Sequence, residues 1–449
     1  MATTSPLRPP SVERLLSVAR PRLADRSHDT VLLAARQVIA SERARLAGGA
    51  ASSTIEALAD EVVRQLTPGQ AEPIRVINAT GVILHTNLGR APWPRAAIEA
   101  GAEAAAGYGL LELDRASGRR GARFRAAEEH LMALTGSEDA FVTNNNAAAV
   151  ALTVHLAGRG GVAVARGELV EIGGGVRIPE IIRRAGARLV EVGTTNKTRA
   201  ADFEEPLASG RAAIVLRVHP SNFRIAGFTE APDPRELAEL AHRHGAIVVD
   251  DLGSGALLDT ASFGLAHEPM PSERLAAGAD LVTFSGDKLV GGPQAGLLVG
   301  RGGLIGRIRK DPLARAMRPD KVTLAALAAT LGLYRAGVAT REIPVWRMIA
   351  ASPADLRGRA ESVARAVGQG AEIVALEATV GGGSLPGEIL PSAGIALTAA
   401  RADTVLAALR RRDPCVVARI EDGRVVVDLR TVDPMDDEPL AAAIGRVIR

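Results

Sequence analysis

The sequence predicts an α/β protein whose large central domain is built on a mainly parallel sheet and is flanked by two small domains. A chain of 449 residues exceeds what one hydrophobic core usually fills. Short β-rich runs alternate with helical stretches through the middle of the chain, which is typical of βαβ units. Helical patterns precede this region, and closely spaced strands follow it. We therefore predict a helical domain at 1–69, a large α/β domain at 70–338 and a small α+β domain at 339–449.

The first 69 residues carry the pattern of two helices. Asp29 is placed to cap the first helix, whose apolar residues between positions 31 and 46 fall on one face. Ser53 and Glu56 form a capping-box pattern ahead of the second helix. Thr67-Pro68-Gly69 is the predicted linker at which this domain ends.

Strands of the two following domains are predicted from short runs rich in apolar and β-branched residues. Those of the large domain are AFVT at 140–143, VAVAR at 162–166, RLVEV at 188–192, AIVLRV at 213–218, AIVVD at 246–250 and LVTFS at 281–285. Those of the last domain are EIVALEA at 372–378, GIALTA at 394–399, CVVARI at 415–420 and RVVVDL at 424–429. Asp422-Gly423 predicts a tight hairpin turn between the last two.

Composition and motifs exclude several classes of protein. The single cysteine, Cys415, excludes a disulfide within the chain and a cysteine-rich zinc site, which fits a reducing compartment. No apolar run approaches the roughly 20 residues that span a bilayer, and the first residues lack a signal-peptide apolar region, so we expect a cytoplasmic protein. P-loop, HExxH, GxSxG and CxxC motifs are absent and the eight histidines are scattered, so we expect no metal site.

Lysine is scarce in this chain, in which arginine supplies nearly all of the positive charge. It occurs only at Lys197, Lys288, Lys310 and Lys321. Lys288 lies in a polar turn directly after the strand pattern LVTFS. At the carboxyl end of a parallel strand, a partly desolvated lysine has a lowered pKa and can attack a carbonyl group, whereas arginine cannot form an imine. We interpret Lys288 as an imine-forming lysine, and a solvated loop lysine is the alternative.

A pyridoxal 5′-phosphate (PLP) site needs an acid that keeps the pyridine nitrogen of the cofactor protonated. The strand pattern AIVVD delivers Asp250 and Asp251 into the small residues Leu252-Gly253-Ser254-Gly255, against which a planar ring can lie. We favour Asp251 and leave Asp250 open. Both aspartates have an alternative role as caps of the next segment.

A phosphate group is favoured at the start of a helix, where free N–H groups and the helix dipole attract an anion. The run between strand AFVT and helix AAAVALTVHL fits this role, although a plain turn with a helix cap is the alternative. Its candidate residues are Asn144, Asn145, Asn146 and Ala147. Ser285 offers a hydroxyl group to the same phosphate, and Asn222 follows another strand and is a candidate contact of the ring hydroxyl.

Three arginines form the last candidate group. Arg90 follows TNLG, and Arg315 and Arg318 lie in ARAMR. If that segment is helical, a spacing of three aims both guanidinium groups the same way, which suits a phosphate-like anion. A solvated basic face is the alternative interpretation.

Taken together, these stretches resemble the bacterial selenocysteine synthases, the L-seryl-tRNA(Sec) selenium transferases, which are fold-type-I PLP enzymes. The matching segments are INATGVILHTNLGRAP at 77–92, FVTNNNAAAV at 141–150, RGELVEIGGGVRIPEI at 166–181, VDDLGSGAL at 249–257, FSGDKLVGGPQAG at 284–296 and GGGSLPGE at 381–388. The resemblance implies that Lys288 holds PLP and that Asp287 is a further active-site group. It also implies that Arg90, Arg315 and Arg318 line a pocket for selenophosphate.

The reaction implied by the resemblance converts L-seryl-tRNA(Sec) into L-selenocysteinyl-tRNA(Sec). The seryl amine displaces Lys288, the freed lysine removes the α-proton, and loss of the hydroxyl group leaves an aminoacrylyl intermediate that selenium attacks. The first domain is the candidate tRNA-binding domain, because residues 1–45 contain eight arginines and four acidic residues, a net charge of +4. The resemblance further implies a homodecamer built of dimers, and a dimer is the minimum expected for this fold type.

Two other functions are alternatives to this one. A PLP-dependent lyase or aldolase that acts on a small phosphorylated amino acid would use the arginines to bind the substrate phosphate, and it would not need residues 1–69. A non-catalytic RNA-binding module is supported only by the basic helices and is contradicted by the Gly-rich turns and buried strands.

Overall fold

A computed structural model describes residues 8–67, 75–120, 124–172, 175–221, 223, 225, 227–398 and 401–448. The chain forms two compact units, Met1–Arg75 and Val76–Arg449. The predicted boundary at 69 falls outside the described residues. None of the described helices combines the length and the apolar character that crossing a bilayer requires.

The first unit is helical, as predicted. Its helices are α1 (Val12–Ala19), α2 (His28–Ala47) and α3 (Ile55–Leu66). Apolar residues from all three helices, among them Leu15, Val38 and Val62, are buried in one cluster. Burial of these faces accounts for the stability of helices that would be marginal alone.

Both predicted helix caps of the first unit are wrong by one or two residues. Ser27 caps α2 by accepting a hydrogen bond from the N–H of Thr30, and Asp29 lies inside the first turn. Thr54, not Ser53, caps α3. The N–H of Ser53 instead donates to the buried carboxylate of Glu42 at 2.8 Å, and this contact removes Ser53 from the helix start.

The second unit contains sixteen strands and fifteen α-helices among its described residues. The strands are β1 (Val76–Asn78), β2 (Val82–Leu84), β3 (Asp139–Thr143), β4 (Gly161–Ala165), β5 (Glu171–Ile172), β6 (Val176–Arg177), β7 (Arg188–Val192), β8 (Ile214–Val218), β9 (Ile247–Gly253), β10 (Leu281–Ser285), β11 (Gly296–Gly300), β12 (Ala371–Gly381), β13 (Ile389–Leu397), β14 (Cys415–Val417), β15 (Arg419–Glu421) and β16 (Arg424–Asp428). The helices are α4 (Arg95–Ala106), α5 (Ala126–Thr135), α6 (Asn146–His155), α7 (Ile178–Arg184), α8 (Glu204–Ala208), α9 (Pro234–Arg243), α10 (Pro271–Ala276), α11 (Gly302–Lys310), α12 (Pro312–Ala316), α13 (Lys321–Arg335), α14 (Ala339–Glu342), α15 (Pro344–Ala350), α16 (Pro353–Val367), α17 (Ala402–Arg410) and α18 (Asp437–Ile448).

Seven strands form the large sheet in the order β3-β11-β10-β9-β8-β4-β7. All six predicted strand runs are present and run parallel to one another, and the unpredicted β11 lies antiparallel between β3 and β10. Successive residues of β8 are buried on opposite faces. Val215 belongs to an apolar cluster with Leu237 of α9, and Leu216 belongs to one with Leu152 of α6. Helices therefore cover both faces, as a parallel sheet requires.

The smaller sheet has the order β15-β16-β13-β12-β2, and β1 pairs with β14. Two strands from the start of the unit, β1 and β2, thus pair with strands that come from residues after 370. The predicted run CVVARI is divided into β14 and β15 because its two halves pair with different strands. Asp422 and Gly423 have φ of 48° and 73°, the left-handed conformation that a tight hairpin turn requires.

Candidate active site

Lys288 lies in the turn that follows β10 and is only 6% exposed. Burial lowers the pKa of its ammonium group, the nearby carboxylate of Asp251 opposes this change, and Arg90 adds to it. No residue that the structure describes forms a hydrogen bond or ion pair with its Nζ atom. The side chain is therefore a desolvated amine that is left free to react.

Two glycines border the Lys288 amine. Gly383, in the turn between β12 and β13, has φ of 85°, and a Cβ atom at this position would lie 2.5 Å from Nζ. Gly253, at the end of β9, has φ of 67°, and its added Cβ atom would lie 3.6 Å from Nζ. Absence of a side chain at Gly383 lets the backbone of that turn close over the lysine.

The adjacent aspartates at the end of β9 point to opposite faces of the sheet, as strand geometry dictates. Asp251 lines the same cavity as Lys288 and is 3% exposed. Asp250 is equally buried, but its carboxylate lies 3.6 Å from the Nε atom of Arg274 and does not line that cavity. Of the two candidates, Asp251 is the one that shares a cavity with the lysine.

Two side chains hold the carboxylate of Asp251. Its Oδ1 atom accepts hydrogen bonds from Nδ2 of Asn146 at 2.8 Å and from the hydroxyl of Thr283 at 2.9 Å. Burial raises the pKa of Asp251, and the two hydrogen bonds and the charge of Lys288 act in the opposite direction. Among the described residues, no donor contacts Oδ2, so this oxygen is available to a ligand.

The start of α6 forms another wall of the cavity. Asn145 caps this helix by accepting a hydrogen bond from the N–H of Ala148 at 2.9 Å. The N–H groups of Asn146 and Ala147 have no acceptor within the described part of the chain, which is the usual condition of a first helical turn. Asn145, Asn146 and Ala147 line the cavity, whereas the N–H of Asn144 donates to the carbonyl of Met317 at 2.8 Å.

Ser285 ends β10, is buried and lines the cavity beside Lys288. The candidate Asn222 lies outside the described residues. Three of its neighbours in sequence, His219, Ser221 and Phe223, line the cavity.

Arg90 and Asp287 meet at the cavity wall, where Nη1 of the arginine lies 2.7 Å from Oδ2 of the aspartate. The backbone of Arg90 has φ of 63°, a left-handed conformation that costs a non-glycine residue about 1–2 kcal/mol. The preceding Gly89 is also left-handed. This turn directs the guanidinium group of Arg90 toward the residue that precedes Lys288.

Arg315 and Arg318 are not brought into the Lys288 cavity of their own chain. Helix α12 ends at Ala316, so the predicted common helix face is wrong: Arg315 lies on the helix and Arg318 lies beyond it. Pro319 disfavours the helical conformation at Arg318. Arg315 is exposed, and Nη1 of Arg318 lies 3.4 Å from the carboxylate of Glu112.

The cavity around Lys288 has a volume of about 370 Å³, within the usual size of a small-molecule site. Its groups fit PLP by their chemistry. Lys288 offers an amine, whose neutral form burial favours, for the aldehyde; Asp251 offers a carboxylate oxygen for the pyridine nitrogen, and the start of α6 offers N–H groups for the phosphate. The buried Oδ1 of Asn146 also has no partner among the described residues.

Two residues next to Asp251 and Lys288, Thr283 and Gly383, were not among the site residues predicted from the sequence. Thr283 is aligned with Asp251 in the parallel pairing of β10 with β9, and it lies on the same face of β10 as Ser285. The alternation of side chains along β10 was therefore a sequence signal that could have identified Thr283. Gly383 was part of a matching segment, but its contact with Lys288 joins positions far apart in sequence and had no local signal.

Comparisons with known proteins agree with this geometry. The family model described as L-seryl-tRNA selenium transferase matches residues 76–433. The chain is 45% identical over 455 aligned positions to an L-seryl-tRNA(Sec) selenium transferase of Moorella thermoacetica, covering 98% of this chain and 96% of that protein. It is 42% identical to the protein of the same name from Rhizobium meliloti (strain 1021), covering 94% of this chain and 93% of that protein.

A solved structure of D-glucosaminate-6-phosphate ammonia-lyase superposes with a TM-score of 0.60 at 22% identity, over 85% of this chain and 99% of that one. This likeness shows a shared fold and bears out the predicted fold class. The family match and the near-full-length relatives decide the family. The chain belongs to the L-seryl-tRNA selenium transferase family.

Proposed function

We propose that this chain is a PLP-dependent L-seryl-tRNA(Sec) selenium transferase, which replaces the seryl hydroxyl group by selenium from selenophosphate while the amino acid stays esterified to tRNA(Sec). The observation that carries the proposal is the buried, unpaired amine of Lys288 in one cavity with Asp251 and the start of α6. Relatives with this name that align over nearly the whole chain favour it over a lyase or aldolase acting on a small phosphorylated amino acid.

PLP, when bound, supplies an electron sink that stabilises negative charge at the α-carbon of an amino acid. Lys288 would hold the cofactor through Nζ, and Asp251 would hold a proton at the pyridine nitrogen. The N–H groups of Asn146 and Ala147 would bind the phosphate, and Ser285 would add a hydroxyl donor. Because burial favours the neutral form of the Lys288 amine, this amine is suited to take a proton from the α-carbon.

Arg90 is the candidate within this cavity for binding the anionic selenophosphate. Its contact with Asp287 uses one of five guanidinium N–H donors, so others remain for an anion. Asp287 would then position Arg90 rather than contact the reacting atoms. This role agrees with its place between the lysine and the arginine.

A separate role is proposed for Arg315 and Arg318. Since they lie outside the Lys288 cavity of their own chain, we propose that they complete the cavity of a neighbouring subunit. The assembly would be a homo-oligomer, with a dimer as the minimum and a decamer as the form implied by family resemblance.

The helical first unit is proposed to bind tRNA. Its described helices expose several arginines, among them Arg14, Arg36 and Arg43. RNA recognition relies largely on shape and on contacts to phosphate and 2′-hydroxyl groups, for which exposed arginines are suited. We place the enzyme in the cytoplasm, where aminoacylated tRNA is used.

The decisive experiment is selenium transfer. Purified holoprotein is incubated with seryl-tRNA(Sec) and radioactive selenophosphate, and label is measured in the aminoacyl group released from tRNA. Wild type and the control Lys310→Ala, which changes an exposed lysine at the end of α11, should incorporate selenium, and Lys288→Ala should not. Absence of label with wild type, or full incorporation by Lys288→Ala, would contradict the proposal.

A further inference from the structure

A second cavity, of about 520 Å³, adjoins the one that contains Lys288. His219 and Phe223 line both cavities and form the boundary between them. The second cavity continues along the ends of β8 and β4 and is closed on another side by Leu385 and Pro386 from the turn that also carries Gly383. A ligand in it would therefore lie next to the reacting centre.

The charges around the second cavity do not suit a phosphate group. Glu168 forms a partly buried ion pair with Arg217, whose Nε atom lies 3.0 Å from the carboxylate. Glu230 pairs with Arg199 at 2.8 Å. Arginine charge around this cavity is thus matched by carboxylates within the described part of the chain, and Glu268 adds a further negative charge.

Glu268 is the least satisfied of these carboxylates. It is 2% exposed, and its Oε1 atom has no hydrogen-bond partner among the described residues, although Nε2 of His219 lies 3.3 Å away. Its backbone N–H donates to the hydroxyl of Thr260 at 2.9 Å, which fixes the backbone from which the side chain extends. Among the described residues, His219 is the group of opposite polarity that approaches this oxygen, and the contact lacks hydrogen-bond geometry, so Oε1 can still accept a hydrogen bond from a ligand.

The remaining walls match an uncharged ligand with a flat apolar part and hydroxyl groups. Phe223, Ile225, Leu385 and Pro386 supply apolar surface, and Thr195 and Asn196 supply polar side chains. In the proposed substrate, serine is joined through one ester bond to the ribose of the terminal nucleotide of tRNA. That ribose must therefore lie within one ester linkage of the serine carbon that reacts in the Lys288 cavity.

We propose that the second cavity binds the 3′-terminal adenosine of seryl-tRNA, with the free ribose 2′-hydroxyl donating to Glu268 and the base packed against the apolar wall. This site rests on the proposed function, since it takes its ligand from that substrate. It gives Glu268 a role in substrate binding rather than in chemistry. The acidic lining also keeps selenophosphate out of the nucleoside site.

Binding of adenosine and 2′-deoxyadenosine to the holoprotein, measured by calorimetry, tests the site without relying on turnover. Wild type should bind adenosine roughly tenfold or more tightly, as expected for a hydrogen bond to a charged acceptor. Glu268→Gln should shrink this ratio severalfold. The control Glu129→Gln, an exposed carboxylate on α5, should keep it.

Equal binding of the two nucleosides by wild type would overturn the site, and this comparison needs no variant to fold. An unchanged ratio in Glu268→Gln would also overturn it. Selenium transfer by wild type is measured in parallel. Transfer without ribose discrimination would leave the proposed function standing and remove the nucleoside site, whereas discrimination without transfer would support the site and contradict the proposed function.

Discussion

Nη1 of Arg90 lies 2.7 Å from Oδ2 of Asp287, the residue directly before Lys288. The positive charge of Arg90 adds to the effect of burial in lowering the pKa of Lys288, and the negative charge of Asp287 acts in the opposite direction. The same contact links a left-handed turn near the start of the second unit to the end of β10. Electrostatics at the lysine therefore depend on a segment almost 200 positions away in sequence.

Arg90→Ala is expected to raise the pKa of Lys288, because it removes a positive neighbour and leaves Asp287 unpaired. Since only the neutral amine attacks an aldehyde, the pH of half-maximal imine formation between apoprotein and PLP should rise. Stopped-flow absorbance at several pH values measures it. Arg95→Ala, which removes an exposed arginine paired with Glu99, is the control. A midpoint that stays fixed or moves down would contradict the assignment.

Thr283→Val removes one of two hydrogen bonds to Oδ1 of Asp251 with little change in shape. Because this bond lowers the pKa of Asp251, the variant should protonate the carboxylate at higher pH and lose roughly tenfold or more in PLP affinity. The loss should grow as pH falls. Equilibrium dialysis measures affinity, and Thr135→Val, a buried threonine bonded to the carbonyl of Leu131, serves as the control. Equal affinity losses in both variants would make Thr283 merely structural.

Gly383→Ala should weaken imine formation, because the added methyl group would lie 2.5 Å from Nζ of Lys288 and displace the end of that side chain. Gly387→Ala is a matched control: it has a similar φ of 80° in the same turn, but its added Cβ atom meets open space. Both variants carry comparable backbone strain, of about 1–2 kcal/mol. Only Gly383→Ala should reduce the borohydride-reducible absorbance band at a given PLP concentration. An equal band in both variants would show that the turn does not contact the lysine.

Mixed oligomers test whether Arg315 and Arg318 serve a neighbouring subunit. Lys288→Ala protein and protein with both arginines changed to alanine should each be inactive in selenium transfer. If the arginines complete a partner's cavity, co-assembly restores some sites that contain both Lys288 and the arginines, and activity should return to about a quarter of wild type for random pairing in dimers. Separately assembled and then mixed proteins are the control. No recovery after co-assembly would place the arginines with the lysine of their own chain.

Removal of residues 1–75 should separate tRNA binding from cofactor binding. The residues that contact Lys288 all belong to the second compact unit, so the shortened chain should keep its PLP absorbance. Its affinity for tRNA(Sec) should fall at least tenfold in a filter-binding assay. Unchanged affinity would contradict the role proposed for the helical unit.

Local patterns predicted six of the seven strands of the large sheet, and with them the positions of Lys288 after β10 and of Asp251 near the end of β9. They failed where the answer depended on a second segment. Alternation along β10 puts Thr283 on the same face as Ser285, but its contact with Asp251 depends on the register of β10 against β9. Ser53 does not cap α3, because its N–H donates to Glu42 of α2. For Arg318 the signal was present but overlooked, since the following Pro319 disfavours continuation of the helix.

Pairing of β1 with β14 and of β2 with β12 has a consequence for biosynthesis. A ribosome synthesises the segment that carries Arg90 early. The two strands just before it, β1 with Ile77 and β2 with Ile83, can pair with β14 and β12 only after residues beyond 370 have emerged. Nascent chains would therefore carry an unpaired pair of apolar strands for most of translation, which favours a late folding step and exposure to chaperones. Messages truncated after α13 should yield protein that contains Lys288 but lacks the turn with Gly383 that borders its amine.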